Sequence, residues 1–255
     1  MITDDFDPCR EAMISPCDFL QKIEGMPKVA VTCFDRNIIN SLIVKLGAEK
    51  AGSVGCANGE YFVYKIHYRD KELALFMCVV GSAGAGGMLE EVYALGVETV
   101  VVFGTCGVLD SSIGEYGIII PNSAVRDEGL SYHYIEPSDE MAVNTEYIPA
   151  FTALLDRLGC SYTKGKVWTT DAFYRETKAK VKKRKEQGCV CVDMECSALA
   201  AVARFRGKGI FQFFYAHDDL GSEEWDRRCL DGVERFDDNE RVAGIALEFA
   251  ASLTE

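Results

Sequence analysis

The chain alternates short apolar runs with stretches whose apolar residues recur every three or four positions. Val29 to Phe34 is an apolar run, and beyond Asp35 the residues Ile38, Ile39, Leu42, Ile43 and Leu46 mark one face of a helix that stops at Gly47. Tyr61 to Tyr68 and Leu73 to Val80 are β-rich and joined by the polar residues 69–72, which predicts a hairpin. Gly81 to Gly87 reads as a small-residue loop. Met88, Leu89, Val92 and Leu95 then predict a helix ending at Gly96, followed by a strand from Thr99 to Phe103 that stops at Gly104-Thr105-Cys106-Gly107. Further strands are expected at Gly117 to Pro121, Lys166 to Trp168, Cys189 to Val192 and Ile210 to Tyr215. Helices are expected at Ile148 to Leu158, Cys196 to Phe205 and Glu240 to Leu253. Fully apolar strands alternating with helices predict an α/β fold, a single domain with a mixed central β-sheet flanked by helices. In such folds ligands collect beyond the strand ends, so chemistry is sought there.

Composition narrows the choice of partner. The 255 residues, 48% apolar and 26% charged, suit one α/β domain, and no linker, repeat or low-complexity tract divides them. The first thirty residues lack the pattern of a secretory signal, and no run of about eighteen apolar residues predicts a membrane span. Eleven cysteines, several inside apolar runs, read as free buried thiols of a reducing, cytoplasmic environment. A formal charge of −13 disfavours nucleic acid. The one basic run, Lys178 to Lys185, fits the solvated face of a helix. Any anion bound here is expected to be small and held in a specific pocket.

Five strand ends carry unusual chemistry. Arg36 follows Asp35 at the start of a helix, where backbone donors and a guanidinium can converge on an anion, although a surface arginine beside a capping aspartate has the same signature. At Gly104-Thr105-Cys106-Gly107 small residues would let backbone amides approach a ligand, and a tight turn out of a buried strand looks alike. Arg126-Asp127-Glu128-Gly129 is followed by Ser131, Tyr132, His133 and Tyr134, a dense polar and aromatic cluster. Thr169 to Thr177 sets Phe173 and Tyr174 beside Arg175 and Glu176, aromatics that could stack on a flat base or simply pack. Val192-Asp193-Met194-Glu195 places two acids just before a helix, and His217-Asp218-Asp219 ends the next strand with Trp225, Arg227 and Arg228 following on an expected helix.

Taken together, these segments resemble the nucleoside phosphorylase family, which includes the hexameric purine nucleoside phosphorylases, the uridine phosphorylases and the methylthioadenosine/adenosylhomocysteine nucleosidases. The likeness runs from Lys28 to Glu255, and Gly104 to Gly107, Phe173-Tyr174 and Val192 to Glu195 are its most specific parts. The resemblance implies that Glu195 binds the ribose hydroxyls, Met194 packs under the sugar and Phe173 stacks on the base. It further implies that Arg36, Gly104 and Thr105 hold phosphate; Arg126 or Arg175, each at a strand end, is expected to take over the work of the phosphate-site arginines that the chain lacks. Asp218 would assist the leaving base, with Arg228 or Arg227 as its helper, and Arg175 and His133 are additional substrate contacts. Bond cleavage builds positive charge on the ribose, which a carboxylate at the 2′-hydroxyl favours. No cofactor or metal is implied, inorganic phosphate being a co-substrate, and the family points to a homo-oligomer, a dimer or trimer of dimers.

The departures from the family pattern decide what stays open. Uridine-cleaving members read their base with a glutamine and an arginine after the Phe-Tyr pair; here Arg175, Glu176 and Thr177 follow, so purine is favoured. Val102 stands where most phosphorylases have an arginine, and the neighbour's usual phosphate-binding arginine has no counterpart around Val54 to Tyr64. A buried dianion with one guanidinium is poorly compensated. Phosphorolysis is the primary expectation, with hydrolysis by water, a uridine phosphorylase and a non-catalytic nucleoside-binding or storage protein as alternatives. Cys189, Cys191 and Cys196 with Asp193 lack zinc spacing, and the glycines of 81–87 lack the dinucleotide fingerprint.

Overall fold

Val29–Cys33 (β1) is buried at every position, as a central strand covered on both faces must be. The computed structural model describes residues 2–57, 59–228 and 236–254. After β1 come α1 (Arg36–Lys45), β2 (Glu49–Cys56), β3 (Gly59–Tyr68), β4 (Lys71–Met77), α2 (Ser82–Leu95), β5 (Thr99–Val108) and β6 (Ile118–Asp127). The rest of the chain forms β7 (Glu140–Ala142), α3 (Ile148–Leu158), β8 (Tyr162–Thr170), α4 (Lys178–Glu186), β9 (Cys189–Asp193), α5 (Cys196–Arg206), β10 (Gly209–Asp219) and α6 (Phe236–Ser252).

The strands form one mixed sheet in the order β10-β6-β8-β9-β5-β1-β4-β3-β2, and β10 also pairs with β5. That extra pairing closes β5, β10, β6, β8 and β9 into a ring, from which β1, β4, β3 and β2 extend as an open wing. Strands β1, β4, β5 and β10 run parallel, whereas β9 meets only the far end of β5, antiparallel, at Gly107 and Val108. The expected hairpin is β3–β4.

Alternation along β5 sends side chains to two cores. Val101 and Phe103 join Phe151, Phe211, Phe213 and Phe249 under α1, α3 and α6. Val100 and Val102 join Ala85, Leu89 and Val202 under α2 and α5. The Phe151, Phe211 and Phe249 rings lie 4.6 to 4.9 Å apart by centroid, an aromatic knot that fixes α3 and α6 against β10.

Several expectations are corrected. Residues 82–87 are not a loop but the first turns of α2, with Gly81 before them at φ +96°. Gly104 to Gly107 is not a turn: β5 runs through it to Val108. Strand β2 went unread, and Trp225 to Arg228 is not helical, since Asp226 bridges to Asp219 and Arg228 has a φ of +44°. Cys33, Cys78, Cys106, Cys189, Cys191 and Cys196 are buried thiols, but Cys9 and Cys17 are exposed. No helix among the described residues is long and apolar enough to cross a membrane.

Candidate active site

The C-terminal ends of β1, β4, β5 and β10 open on one side of the sheet, and the segments following β8 and β9 close over the same place. Between them lies a cleft of two lobes that share Phe34, Val80, Thr105 and His217. The outer lobe, about 1110 Å³, is walled by Asp35, Arg36 and Gly104. The inner lobe, about 600 Å³, brings together Phe173, Met194, Glu195 and Asp218 with Thr105. A volume of this order suits a small ligand of nucleoside size.

Glu195 is placed by two helices at once. The Asp193 carboxylate accepts from the backbone N–H of Glu195 at 2.9 Å and of Cys196 at 2.7 Å, capping α5, while its other oxygen accepts from the Thr169 hydroxyl at 2.7 Å. The Glu195 carboxylate accepts from the Gly81 N–H at 2.6 Å at the start of α2, where the helix dipole favours negative charge. The Ser82 hydroxyl donates to the Met194 carbonyl at 2.6 Å and pins the segment between the two acids. Glu195 is 6% exposed, and burial with the Asp193 charge beside it raises its pKa. Burial raises that of Asp193 as well, against the hydrogen bonds it accepts.

Asp218 owes its position to an irregularity in β10. The register against β5 shifts between Ala216 and Asp218, so His217 bulges and the carboxylate of Asp218 turns into the inner lobe. Trp225 Nε1 donates to it at 2.7 Å. A Cβ on Gly107 would lie 2.3 Å from Leu220 Cδ1 and 3.2 Å from Asp218 Oδ1; the glycine serves close approach across the strands. Burial lowers the pKa of His217. Glu176 lines the inner lobe beside Asp218; burial first, and the Asp218 charge second, push its pKa up to about 7. Phe173 and Tyr174, half exposed and exposed, form a tilted ring pair with centroids 4.0 Å apart at the mouth.

In the outer lobe Asp35 caps α1, accepting from the N–H of Asn37 at 2.7 Å, and Arg36 follows it on the wall with Gly104 and Thr105. The other expected residues lie elsewhere. Arg126 is buried within its own loop, donating to Ser131 Oγ, the Glu136 carbonyl and Ser138 Oγ at 2.7 to 2.9 Å and stacking on Tyr132, so its donors are already used. Arg228 pairs with Asp219 at 2.7 Å and the Ile113 carbonyl at 2.8 Å, not with Asp218. His133 and Arg175 are exposed and line neither lobe. Val102 is 1% exposed in the core under α2 and α5, so an apolar contact fills that register. Sequence reasoning passed over Gly81, hidden in a stretch read as loop, and Glu176, noted only as not being a glutamine.

Residues 28–254 match the phosphorylase superfamily. The chain belongs to that superfamily. Similar curated proteins are a guanosine phosphorylase of Halorubrum lacusprofundi, 26% identical over 156 residues covering 59% of this chain and 62% of that one, and a DeoD-type purine nucleoside phosphorylase of Bacillus cereus, 28% identical over 137 residues covering 53% and 58%. The chain thus spans about three fifths of the length of these relatives. Two solved structures share the superfamily fold. A uridine phosphorylase from Vibrio fischeri superposes with a TM-score of 0.78 at 22% identity, covering 96% of this chain and all of that one. A purine nucleoside phosphorylase from Toxoplasma gondii, solved with immucillin-H, gives 0.77 at 20% identity with 96% and 98% covered.

Proposed function

We propose that the chain cleaves the N-glycosidic bond of a purine nucleoside, transferring the pentosyl group to inorganic phosphate to give free base and ribose 1-phosphate. The observation that carries this reading is that Phe173, Glu195, Thr105 and Asp218, far apart in sequence, line one inner lobe. The base stacks on Phe173, Met194 lies under the sugar, and Glu195 accepts hydrogen bonds from the ribose hydroxyls. Those hydroxyl donors favour the ionised carboxylate, so the charge needed against the developing ribosyl cation strengthens as the sugar binds. Phosphate in the outer lobe, held by Arg36, Thr105 and the Gly104 backbone, attacks the anomeric carbon. As the bond breaks, Asp218 delivers a proton to the base, a step worth about 10²–10⁴ in rate. The names of the relatives, phosphorylases of guanosine and purine nucleosides, support the same class of reaction.

A second reading has an observation of its own. The Asp35 carboxylate stands beside Arg36 on the outer wall, and Arg126 is not there to add a second cation, so water in place of phosphate would need less compensating charge. Turnover of inosine, adenosine and uridine with and without phosphate, with the sugar identified, separates the readings. Ribose 1-phosphate formed only with phosphate supports transfer, free ribose at an undiminished rate without phosphate moves the assignment to hydrolysis, and cleavage of uridine alone removes the purine assignment. We further propose that the working unit is a homo-oligomer in which a neighbouring chain borders the open outer lobe.

A further inference from the structure

β6 and β8 run parallel and end level, with Arg126 opposite Thr169 and Asp127 opposite Thr170, and the chain then turns through residues 128–131 toward α5. This polar turn borders neither lobe of the cleft, yet it is bonded to the segments that carry Phe173 and Glu195. On one side the Asp127 carboxylate accepts from Trp168 Nε1 at 2.9 Å and pairs with Arg184 at 3.1 Å, joining β8 to α4. The Gly129 N–H donates to Asp171 at 2.9 Å, two residues before Phe173. On the other side Glu128 is buried, and its oxygens accept from the Ser131 N–H and the Ser197 hydroxyl, both at 2.9 Å.

From Glu128 the hydrogen bonds continue to the acid expected to hold the sugar. Ser197, in the first turn of α5, donates its N–H to Thr169 Oγ1 at 3.2 Å. That hydroxyl donates to Asp193 Oδ1 at 2.7 Å, and Asp193 Oδ2 accepts from the Glu195 N–H at 2.9 Å. Ser131, Thr169 and Ser197 are wholly buried. A buried carboxylate met by two neutral donors is a costlier way to pack a turn against a helix than an apolar side chain would be. What the carboxylate adds is direction, because a fully connected polar network fixes Ser197, and with it the start of α5, in one position.

We infer that Glu128 and Thr169 are positioning residues for sugar recognition: the turn after β6, anchored on Asp171 and β8, sets through Ser197 and Asp193 where the Glu195 carboxylate meets the ribose hydroxyls. The inference rests on the nucleoside-cleaving reading above. Glu128, Thr169 and Ser197 line neither lobe, so their effect on substrate passes through Asp193 and Glu195. Misplacement of a binding group by about 1 Å can cost about 10²-fold in rate. The loss is confined to substrates that carry the hydroxyls, since a sugar without them offers Glu195 no donor and is insensitive to its displacement.

The test compares kcat/KM for inosine and 2′,3′-dideoxyinosine, or for uridine and 2′,3′-dideoxyuridine where uridine is the nucleoside turned over. Thr169→Val keeps the shape of the side chain and removes the hydroxyl; it should lower the riboside value by at least about tenfold and leave the dideoxy value within about twofold of wild type. Thr169→Ser, which restores the hydroxyl, should recover the riboside value to within about threefold of wild type. Ser197→Ala cuts only the link to Glu128 and should show the same selective loss, by at least about threefold. Thermal midpoints above the assay temperature show that the variants are folded, and Ser197→Ala carries the test if Thr169→Val is not. A role in stability alone would lower both substrates together or neither, and either result overturns the inference while nucleoside cleavage stands. Calorimetry with the same nucleosides supplies an arm that needs no turnover. The wild type should bind the riboside at least about tenfold more tightly than its dideoxy counterpart, and Thr169→Val or Ser197→Ala should narrow that gap. If neither nucleoside is cleaved yet the gap exists and narrows, positioning survives and the catalytic reading fails. If the wild type shows no gap, or the variants leave it unmoved, the inference falls.

Discussion

Glu195 and Asp218 show how single side chains here trade stability for chemistry. Burial and the Asp193 charge raise the pKa of Glu195, so its folded form favours the neutral acid more than the unfolded chain does. The sign follows: the stability linked to this group is fully present below the ordinary glutamate range and is lost as pH rises through its raised value. Glu195→Gln keeps an acceptor for the Gly81 N–H and removes that loss. It should therefore raise the thermal midpoint at alkaline pH by about 2–10 °C, corresponding to about 1–3 kcal/mol, with a gap that narrows toward pH 5. The same variant should abolish cleavage of ribosides. Scanning calorimetry across pH checks the first expectation; a gap that is constant or reversed would falsify the account of Glu195. Asp218→Asn acts on the departing base alone, so kcat/KM should fall by about 10²–10⁴ while substrate binding changes little, and unchanged turnover removes its role as acid.

At the scale of elements, the N-terminus of α2 does as much for the cleft as the strand that follows it. Gly81 combines a φ of +96°, a conformation that L side chains rarely adopt, with the N–H that holds Glu195 at 2.6 Å. Gly81→Ala should cost about 1–3 kcal/mol and lower kcat/KM through misplacement of the carboxylate, read by chemical denaturation beside kinetics. A variant of unaltered stability and rate would show that α2 does not position Glu195. This helix start is also where sequence reading failed. α3 was legible because its apolar face repeats at helical spacing. In α2 the first turns carry glycine and alanine for another reason: a Cβ on Gly86 would lie 2.1 Å from Leu130 Cδ2, so small residues permit close packing and erase the periodic signal. Strand β2, glycine-containing and with a register shift between Lys50 and Gly52, hides likewise. The strand-end acids and aromatics were visible as outliers in apolar surroundings. Arg126 and Arg228 looked the same in sequence, because a guanidinium that binds a ligand and one that ties its own loop need identical neighbours.

For the molecule as a whole, the closed strand ring and the open wing together leave a cleft whose outer lobe is open and bordered by exposed apolar side chains. Val44 on α1, Val80 and Tyr174 are 81%, 62% and 88% exposed, and all three line the cleft. Scattered exposed apolar residues are ordinary, but several bordering one cleft mark a surface that a second chain can cover. The electrostatics point the same way, since Arg36 with Asp35 beside it offers phosphate little net positive charge and the chain as a whole carries −13. A neighbour that covers Val44 and brings a cation would complete the outer lobe. Light scattering should then give a mass of at least two chains of 28.2 kDa each. Val44→Asp should reduce the mass to that of one chain and raise KM for phosphate more than KM for the nucleoside, since Val44 lines only the outer lobe. A single-chain mass for the wild type with full phosphate-dependent turnover would mean that one chain suffices and that Arg36, Thr105 and the Gly104 backbone bind the anion unaided.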